Sequence, residues 1–248
     1  MAQTFDWLTA RPIAHRGLHD PAAGILENTA SAVSAAIAGN YGIEVDLQIS
    51  ADGEAMVHHD DVLGRLTEGH GALAALSAAA IKAVPFRATS DRIMTLGELC
   101  DLVAGRAAMI VELKSRFDGD LRLPARVAQV LAGYRGPVAA MSFDPAPVEA
   151  LVALAPQLPR GIVAERRYDH HEWDRLSAGE KRRLAFLLHA SRTRPHFIAY
   201  ALRDLPAFAP LAARLLGKPL LTWTVRSEKD RRRATRWANQ MIFEGLRP

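Results

Sequence analysis

The sequence predicts an α/β protein of the (β/α)8 class, the TIM barrel. Short apolar runs rich in β-branched residues alternate with alanine- and leucine-rich segments of helical period, the pattern of βα units around a parallel sheet. The alternation repeats about eight times over 248 residues, and one barrel typically takes roughly 250 residues. We therefore expect a single barrel domain over residues 1–248, with an insertion after the second strand and no clear final helix.

Eight segments have the composition of buried strands, and seven segments of helical period separate them. The predicted strands are Pro12–His15, Gly42–Leu47, Ala108–Lys114, Val138–Phe143, Arg160–Glu165, Phe197–Leu202, Leu220–Val225 and Met241–Glu244. The predicted helices are Asn28–Ala38, Thr95–Ala104, Leu121–Tyr134, Pro145–Ala155, Trp173–His189, Leu205–Leu216 and Ser227–Ala238. The helix that would cover the eighth strand is missing, unless the N-terminal segment Phe5–Thr9 closes that end.

One strand-to-helix connection is much longer than the others. It covers residues 48–94 and contains a strand-like piece of its own, Ala55–His59. Long irregular connections in compact domains are usually functional. In a barrel the functional face lies at the carboxyl ends of the strands, where a strand-to-helix insertion must emerge. We therefore expect the insertion to border the site.

Composition and charge argue against a nucleic-acid-binding protein, an intramolecular disulfide and a transmembrane segment. The 31 basic and 27 acidic residues give a net charge of +4, and the basic clusters Lys181–Arg183 and Arg231–Arg233 lie in segments of helical period. They are interpreted as solvated helix faces, so no nucleic-acid partner is expected. Cys100 is the one cysteine, which excludes an intramolecular disulfide, and its neighbours place it on the buried side of a helix. Without a signal peptide or an apolar run of about 18 residues, we expect a cytoplasmic protein with no transmembrane segment.

Two carboxylates share one face of the second strand. Glu44 and Asp46 lie two residues apart in an apolar segment, and strand side chains alternate with a period of two. Burying both costs several kcal/mol unless a cation neutralises them, so a bound metal is the natural explanation. An exposed edge strand with a polar face is the alternative.

The third strand repeats this spacing with Glu112 and Lys114. Adjacent strands bring these groups close to Glu44 and Asp46. Oxygen ligands without a cysteine cluster favour one divalent cation, Mg²⁺ or Ca²⁺, over zinc. Lys114 either binds a phosphate oxygen or forms an internal salt bridge to Glu112.

Histidines at two strand ends are candidates for proton transfer. His15 is followed by Arg16, whose planar guanidinium suits phosphate, and by Gly17, which allows a sharp turn. His59 ends the strand-like piece of the insertion, and histidine transfers protons readily near neutral pH. Alternation alone does not decide whether His58 or His59 faces the site. The remaining histidines are interpreted as surface or structural residues: His19, His70, His170, His171, His189 and His196.

Taken together, these motifs resemble those of the glycerophosphodiester phosphodiesterases. The resemblance rests on seven motifs spread over nearly the whole chain: His15-Arg16-Gly17, Glu27-Asn28-Thr29, Glu44-Val45-Asp46, His59-Asp60 followed by Leu63, Glu112-Leu113-Lys114, Ser142-Phe143-Asp144 and Trp223-Thr224-Val225. It implies that His59, rather than His58, is catalytic together with His15, and that Glu44, Asp46 and Glu112 bind the metal. It also implies that Glu27 and Asn28 support the site, with capping of the first helix as the alternative role of Asn28.

The resemblance implies an activity as well. A small glycerophosphodiester would be hydrolysed to glycerol 3-phosphate and an alcohol such as choline or ethanolamine, with Arg16, Lys114 and Trp223 as substrate contacts. Two motifs depart from the family: Arg226 stands where Asn is common, and residues 243–248 replace the usual Thr-Asp-x-Pro ending. Neither departure is expected to touch the metal or the proton-transfer groups.

Two other functions stay open. A phosphodiesterase acting on lysophospholipids, in the manner of a phospholipase D, would show an apolar collar on its active-site loops. Five residues of the insertion are apolar, although their helical spacing favours packing against the barrel: Leu73, Leu76, Ile81, Val84 and Phe86. A ligand-binding barrel without catalysis is the second alternative. The sequence makes no prediction of the oligomeric state.

Overall fold

The predicted strand segments form eight parallel strands in the computed structural model, which describes residues 5–248. The strands are β1 (Ile13–Ala14), β2 (Gly42–Ile49), β3 (Met109–Leu113), β4 (Val138–Ser142), β5 (Arg160–Ala164), β6 (Phe197–Ala201), β7 (Leu220–Val225) and β8 (Gln240–Phe243). Each pairs with the next in chain order, and β1 pairs with both β2 and β8, which closes the barrel. The predicted (β/α)8 fold class is confirmed.

Alternation along β2 divides its side chains between two layers. Ile43, Val45 and Leu47 point outward and are fully buried in the core between the barrel and its helices. Glu44 and Asp46 point inward and are also buried. The lower part of the barrel is filled by a separate apolar cluster: Ile13, Ile110, Ala139, Met141, Val163, Phe197, Ala199, Leu221 and Ile242. The inward carboxylates therefore lie above an apolar floor.

Ten α-helices occur in residues 5–248: seven overlap the predicted helices, one lies in the N-terminal segment, and the helices Ala78–Ala83 and Ala190–Thr193 were not predicted. They are α1 (Trp7–Ala10), α2 (Ala30–Ala38), α3 (Ala78–Ala83), α4 (Leu96–Val103), α5 (Arg122–Leu131), α6 (Pro145–Leu154), α7 (Ala178–Ala185), α8 (Ala190–Thr193), α9 (Phe208–Leu215) and α10 (Glu228–Trp237). Six of them begin at a side-chain cap that accepts a hydrogen bond from a backbone N–H of the first helical turn: Thr29, Ser77, Thr95, Asp144, Ser177 and Ser227.

Two helices begin three or more residues later than predicted. The segment 173–189 was expected to be one helix, but α7 starts only at Ala178, where Ser177 and Glu180 form a capping box. Trp173 instead lies in a short 3-10 turn, His171–Trp173. Similarly, α9 starts three residues after Leu205, and Pro206 disfavours helical geometry at Leu205 itself.

The N-terminal segment closes the lower end of the barrel. Phe5, Trp7 and Leu8 pack against the apolar cluster inside it, and the carbonyl of Thr9 accepts a hydrogen bond from Nε2 of Gln240 at 2.8 Å. No helix follows β8 in the described part of the chain. The segment thus plugs the barrel from below and does not replace a peripheral helix.

The insertion after β2 has a small core of its own. Its strand Ala55–Val57 pairs antiparallel with the end of β2, and Val62–Leu63 pairs with Gly71–Ala72. The apolar residues of the insertion pack together and against Leu26 of the loop after β1: Met56, Leu63, Leu73, Ile81, Phe86 and Ile93, with Leu76 and Val84 at the edge. They therefore form a core and do not build an apolar collar around the cavity.

Two smaller predictions can be compared with the structure. Cys100 is only partly buried on α4, although it does pack against the core. Over residues 5–248, none of the helices combines the length and apolar character needed to cross a bilayer.

Candidate active site

A cavity of about 570 Å³ opens at the carboxyl ends of the barrel strands. Active sites of TIM barrels lie at this face. Of the predicted site residues, His15, Arg16, Glu44, His59, Glu112, Lys114 and Trp223 line it. Asp46 is buried behind the wall, and Glu27 and Asn28 do not reach the cavity.

Three carboxylates converge at the base of this cavity. β2 and β3 pair in register, with Asp46 opposite Glu112, so Glu44, Asp46 and Glu112 present oxygens that lie within 4.8 Å of one another. All three residues are buried. Burial, followed by the charges of Asp46 and Glu112, raises the pKa of Glu44 well above its usual value. The alternative of an exposed polar edge strand is excluded, because β2 is a central strand of the closed barrel.

Lys114 and Arg16 partly neutralise these carboxylates. Nζ of Lys114 lies 2.6 Å from Oε1 of Glu112 and 2.9 Å from Oδ1 of Asp46. Nε of Arg16 lies 3.3 Å from Oδ2 of Asp46. Burial alone would raise the pKa of Asp46, but Lys114, His59 and Arg16 together hold it below its usual value. The internal salt bridge considered for Lys114 is therefore present.

The carboxylate group fits a hard divalent cation. Oε1 of Glu44 is buried and has no hydrogen-bond partner, which is costly unless another group binds it. The only acidic, histidine or cysteine cluster with metal-binding geometry in residues 5–248 is this one, and all its ligand atoms are oxygens. Mg²⁺ and Ca²⁺ prefer such ligands.

His15 forms a hydrogen bond with Glu244, a residue that was not predicted to belong to the site. Its Nδ1 lies 2.8 Å from Oε2 of Glu244, at the end of β8, and Nη2 of Arg226 donates to the same oxygen at 3.2 Å. The expectation that both family departures avoid the proton-transfer groups is therefore wrong. The hydrogen bond from His15 lowers the pKa of Glu244 to about 2, whereas burial lowers the pKa of His15. Closure of the barrel brings β8 beside β1, which sequence spacing did not reveal.

His59 has a similar arrangement on the insertion. Its Nδ1 lies 2.8 Å from Oδ1 of Asp60, and the guanidinium of Arg65 donates to both oxygens of Asp60, at 2.6 and 3.1 Å. Arg65 also donates to Glu27, which accepts a further hydrogen bond from Arg16 at 2.7 Å. This chain of charged residues ties the insertion to the loop after β1.

His58 lies outside the cavity. Its ring is buried, and Nε2 has no hydrogen-bond partner. Burial lowers its pKa. The structure therefore places His59, and not its neighbour, among the cavity residues.

Asn28 supports the site by a route other than helix capping. Thr29 is the N-cap of α2, so the capping role considered for Asn28 is wrong. Instead, Nδ2 of Asn28 donates to Oδ2 of Asp46 at 2.9 Å, and its Oδ1 accepts the backbone N–H of Asp46 at 3.2 Å. This reciprocal pair fixes the Asp46 carboxylate, and a positive φ of 57° at Asn28 makes it possible.

Phe143, Trp173 and Trp223 form an aromatic wall of the cavity. The ring of Phe143 lies 4.9 Å from that of Trp173 and 5.4 Å from that of Trp223. Beside them, Glu165 is buried and paired with Arg203 at 2.9 Å, and burial raises its pKa. Trp223 was predicted from its motif, whereas Trp173 and Glu165 were assigned only to secondary structure. Their positions at the ends of predicted strand and helix segments were the one available signal.

The chain is similar to known glycerophosphodiester phosphodiesterases in sequence and in fold. The model of the glycerophosphoryl diester phosphodiesterase family matches residues 15–246. A curated glycerophosphodiester phosphodiesterase from Caldanaerobacter subterraneus subsp. tengcongensis is 33% identical over 111 residues, which are 42% of this chain and 44% of that protein. The aligned stretch thus spans less than half of the length of this relative.

Solved structures share the fold. An Oleispira antarctica phosphodiesterase in complex with the product sn-glycerol-3-phosphate has a TM-score of 0.79 at 20% identity, covering 98% of this chain and 95% of the other. For the glycerophosphodiester phosphodiesterase of Thermotoga maritima the TM-score is 0.70 at 21% identity, covering 93% and 92%. Because the family model matches from the first candidate histidine almost to the last residue, the chain belongs to the glycerophosphoryl diester phosphodiesterase family, a family of phosphoric diester hydrolases.

Proposed function

We propose that this protein hydrolyses small glycerophosphodiesters to glycerol 3-phosphate and an alcohol, using one divalent cation and two histidines. The observation that carries the proposal is the cluster of three buried carboxylates at the base of a cavity that His15 and His59 also line. Family membership supports the reaction class. The sn-glycerol-3-phosphate bound as product in the Oleispira antarctica phosphodiesterase supports the substrate class.

Glu44, Asp46 and Glu112 are the proposed ligands of Mg²⁺ or Ca²⁺. The unpartnered, buried Oε1 of Glu44 and the exclusively oxygen donor set support this assignment. When bound, such a cation would polarise a phosphate oxygen. Lys114 and Arg16 contribute two further positive charges beside the carboxylates, where they would stabilise the charge that develops on the phosphate.

His15 and His59 are the proposed proton-transfer residues. In each ring a carboxylate occupies Nδ1, which leaves Nε2 as the nitrogen for substrate. The neighbouring hydroxyl of the glycerol attacks phosphorus and gives its proton to one histidine, while the other protonates the departing alcohol as its P–O bond breaks. Water then opens the cyclic phosphate by the reverse proton transfers. Because burial lowers the pKa of His15, its neutral form is favoured, which suits the base of the first step.

Trp223 completes the proposed substrate contacts. Its ring lines the cavity next to Phe143. An aromatic wall of this kind suits the apolar or cationic part of an alcohol group. The cytoplasmic location stays a prediction of the sequence.

A matrix of substrates and metals tests the proposal. Glycerophosphocholine, glycerophosphoethanolamine, a lysophospholipid and bis(p-nitrophenyl) phosphate are each assayed with Mg²⁺, with Ca²⁺ and with EDTA. Release of glycerol 3-phosphate from the first two substrates, only with metal, is the expected result. Preference for the lysophospholipid would favour the phospholipase D-like alternative, and consumption of none of the four would favour a non-catalytic barrel.

A further inference from the structure

His15 and His59 differ in how their carboxylate partners are held. Asp60, the partner of His59, receives two hydrogen bonds from Arg65. Glu244, the partner of His15, receives one contact, from Arg226 at 3.2 Å. Each histidine therefore belongs to its own set of histidine, carboxylate and arginine. In the set of His15, both Glu244 and Arg226 depart from the family pattern.

We propose that Glu244 is the positioning residue of His15 and that Arg226 holds Glu244 in place for this role. The inference rests on the proposed function, because it assigns a role within the proton transfer of the same site. Neither residue is assumed to touch the phosphate.

The hydrogen bond determines the tautomer of His15. An ionised carboxylate has only acceptor atoms, so Nδ1 of His15 must carry the proton that lies between it and Oε2 of Glu244. Nε2 is then the unprotonated nitrogen of the neutral ring, and it lies 3.9 Å from Oε2 of Glu44, on the side of the proposed metal site. In residues 5–248, the His15 ring makes no other side-chain hydrogen bond that would fix this orientation.

The backbone places Glu244 and Arg226 side by side. The N–H of Glu244 donates to the carbonyl of Val225 at 3.0 Å, directly before Arg226 in the chain. The side chain of Arg226 is 59% exposed, so water competes for its contact with Glu244. We therefore expect Arg226 to contribute less than Glu244 to the orientation of His15.

Steady-state kinetics test the role of Glu244. In Glu244→Gln and Glu244→Ala, kcat on glycerophosphoethanolamine should fall roughly 10- to 100-fold with little change in KM, because the ring is misoriented while the substrate contacts remain. Arg226→Ala should lower kcat by a smaller factor. The matched control is Glu228→Gln, which removes a carboxylate paired with Arg231 on the exposed face of α10 and should retain wild-type kcat. Wild-type kcat in both Glu244 variants would overturn the proposal.

A double-mutant cycle separates positioning from general stability. If Glu244 acts through His15, Glu244→Ala should cause no further loss of kcat in a His15→Ala background. Independent, multiplying losses would contradict the proposal. Thermal unfolding of each variant shows how much of any loss reflects unfolded protein.

The tautomer can be measured without turnover. Long-range ¹H–¹⁵N NMR at neutral pH should show His15 as the Nδ1–H tautomer in the wild type and as a mixture with Nε2–H in Glu244→Ala; a His15→Gln spectrum assigns the signals. An unchanged tautomer in Glu244→Ala would overturn the inference even if the enzyme is active. If no glycerophosphodiester is hydrolysed but the tautomer shifts as expected, the proposed function fails and the positioning contact stands.

Discussion

Nζ of Lys114 lies 2.9 Å from Oδ1 of Asp46, between two carboxylates of the proposed metal site. Its pKa is raised, since Asp46 and Glu112 outweigh the opposing effect of burial. Lys114 is thus the protein's own counter-charge for a buried acidic cluster, and a bound cation would share that role.

Lys114→Met should destabilise the protein chiefly in the absence of metal. Removing one partner of a buried ion pair typically costs on the order of 3 kcal/mol, because the remaining charges lose their compensation. In EDTA we expect a clear fall in Tm, and Mg²⁺ or Ca²⁺ should restore more of the Tm in the variant than in the wild type. Lys82→Met is the control, since its partner Glu98 is exposed and such pairs contribute little. Equal falls in Tm with and without metal would contradict the shared role.

Glu44→Gln should separate metal binding from folding. The substitution keeps the shape of the side chain and removes a buried carboxylate whose pKa burial already raises, so the apo protein should be at least as stable as the wild type. Titration calorimetry with Mg²⁺ and Ca²⁺ should nevertheless show weaker binding, and hydrolysis should be lost as it is in EDTA. Undiminished hydrolysis by the wild type in EDTA would refute the metal assignment.

His59→Ala should chiefly lower activity, whereas His58→Ala should chiefly lower stability. His59 lines the cavity, so its removal should lower kcat by roughly 100-fold or more. His58 is buried outside the cavity, so its removal should lower Tm and leave the kcat of the folded protein largely unchanged. Kinetics and thermal unfolding of both variants provide the test. Equal losses of kcat per folded molecule would mean that the geometry does not select His59.

His189 should make the wild type more sensitive to acid than a variant without this histidine. The ring is 4% exposed, both nitrogens lack partners, and burial, followed by the charges of Arg192 and Arg183, lowers the pKa to about 4. Between pH 6.5 and pH 4 the unfolded state binds a proton that the folded state does not, so stability falls as the pH falls.

Urea unfolding of the wild type and of His189→Leu at several pH values measures this effect. Relative to the variant, the wild type should lose up to roughly 3 kcal/mol from pH 7 to pH 4. A difference in unfolding free energy that stays constant with pH would contradict the prediction.

The sequence alone was enough to predict the barrel and the positions of most of its elements. Strand and helix periods are local properties, and the period of two in β2 also places Glu44 and Asp46 on the same inner face. The predicted starts of α7 and α9 were wrong, near Ser177 and Pro206 respectively. The capping box of Ser177 and the restriction on Leu205 before Pro206 are both visible in the sequence, and both indicate a later helix start.

The tertiary structure alone decided which side chains meet. Glu244 is 229 residues from His15 in the chain, and only the pairing of β8 with β1 brings them to 2.8 Å. The contact of Arg65 with Glu27 likewise depends on how the insertion folds back over the loop after β1. The local spacing of residues in a strand or helix does not predict such contacts. The individual chemical groups of the site were thus visible in the sequence, whereas their partners depended on how the barrel closes.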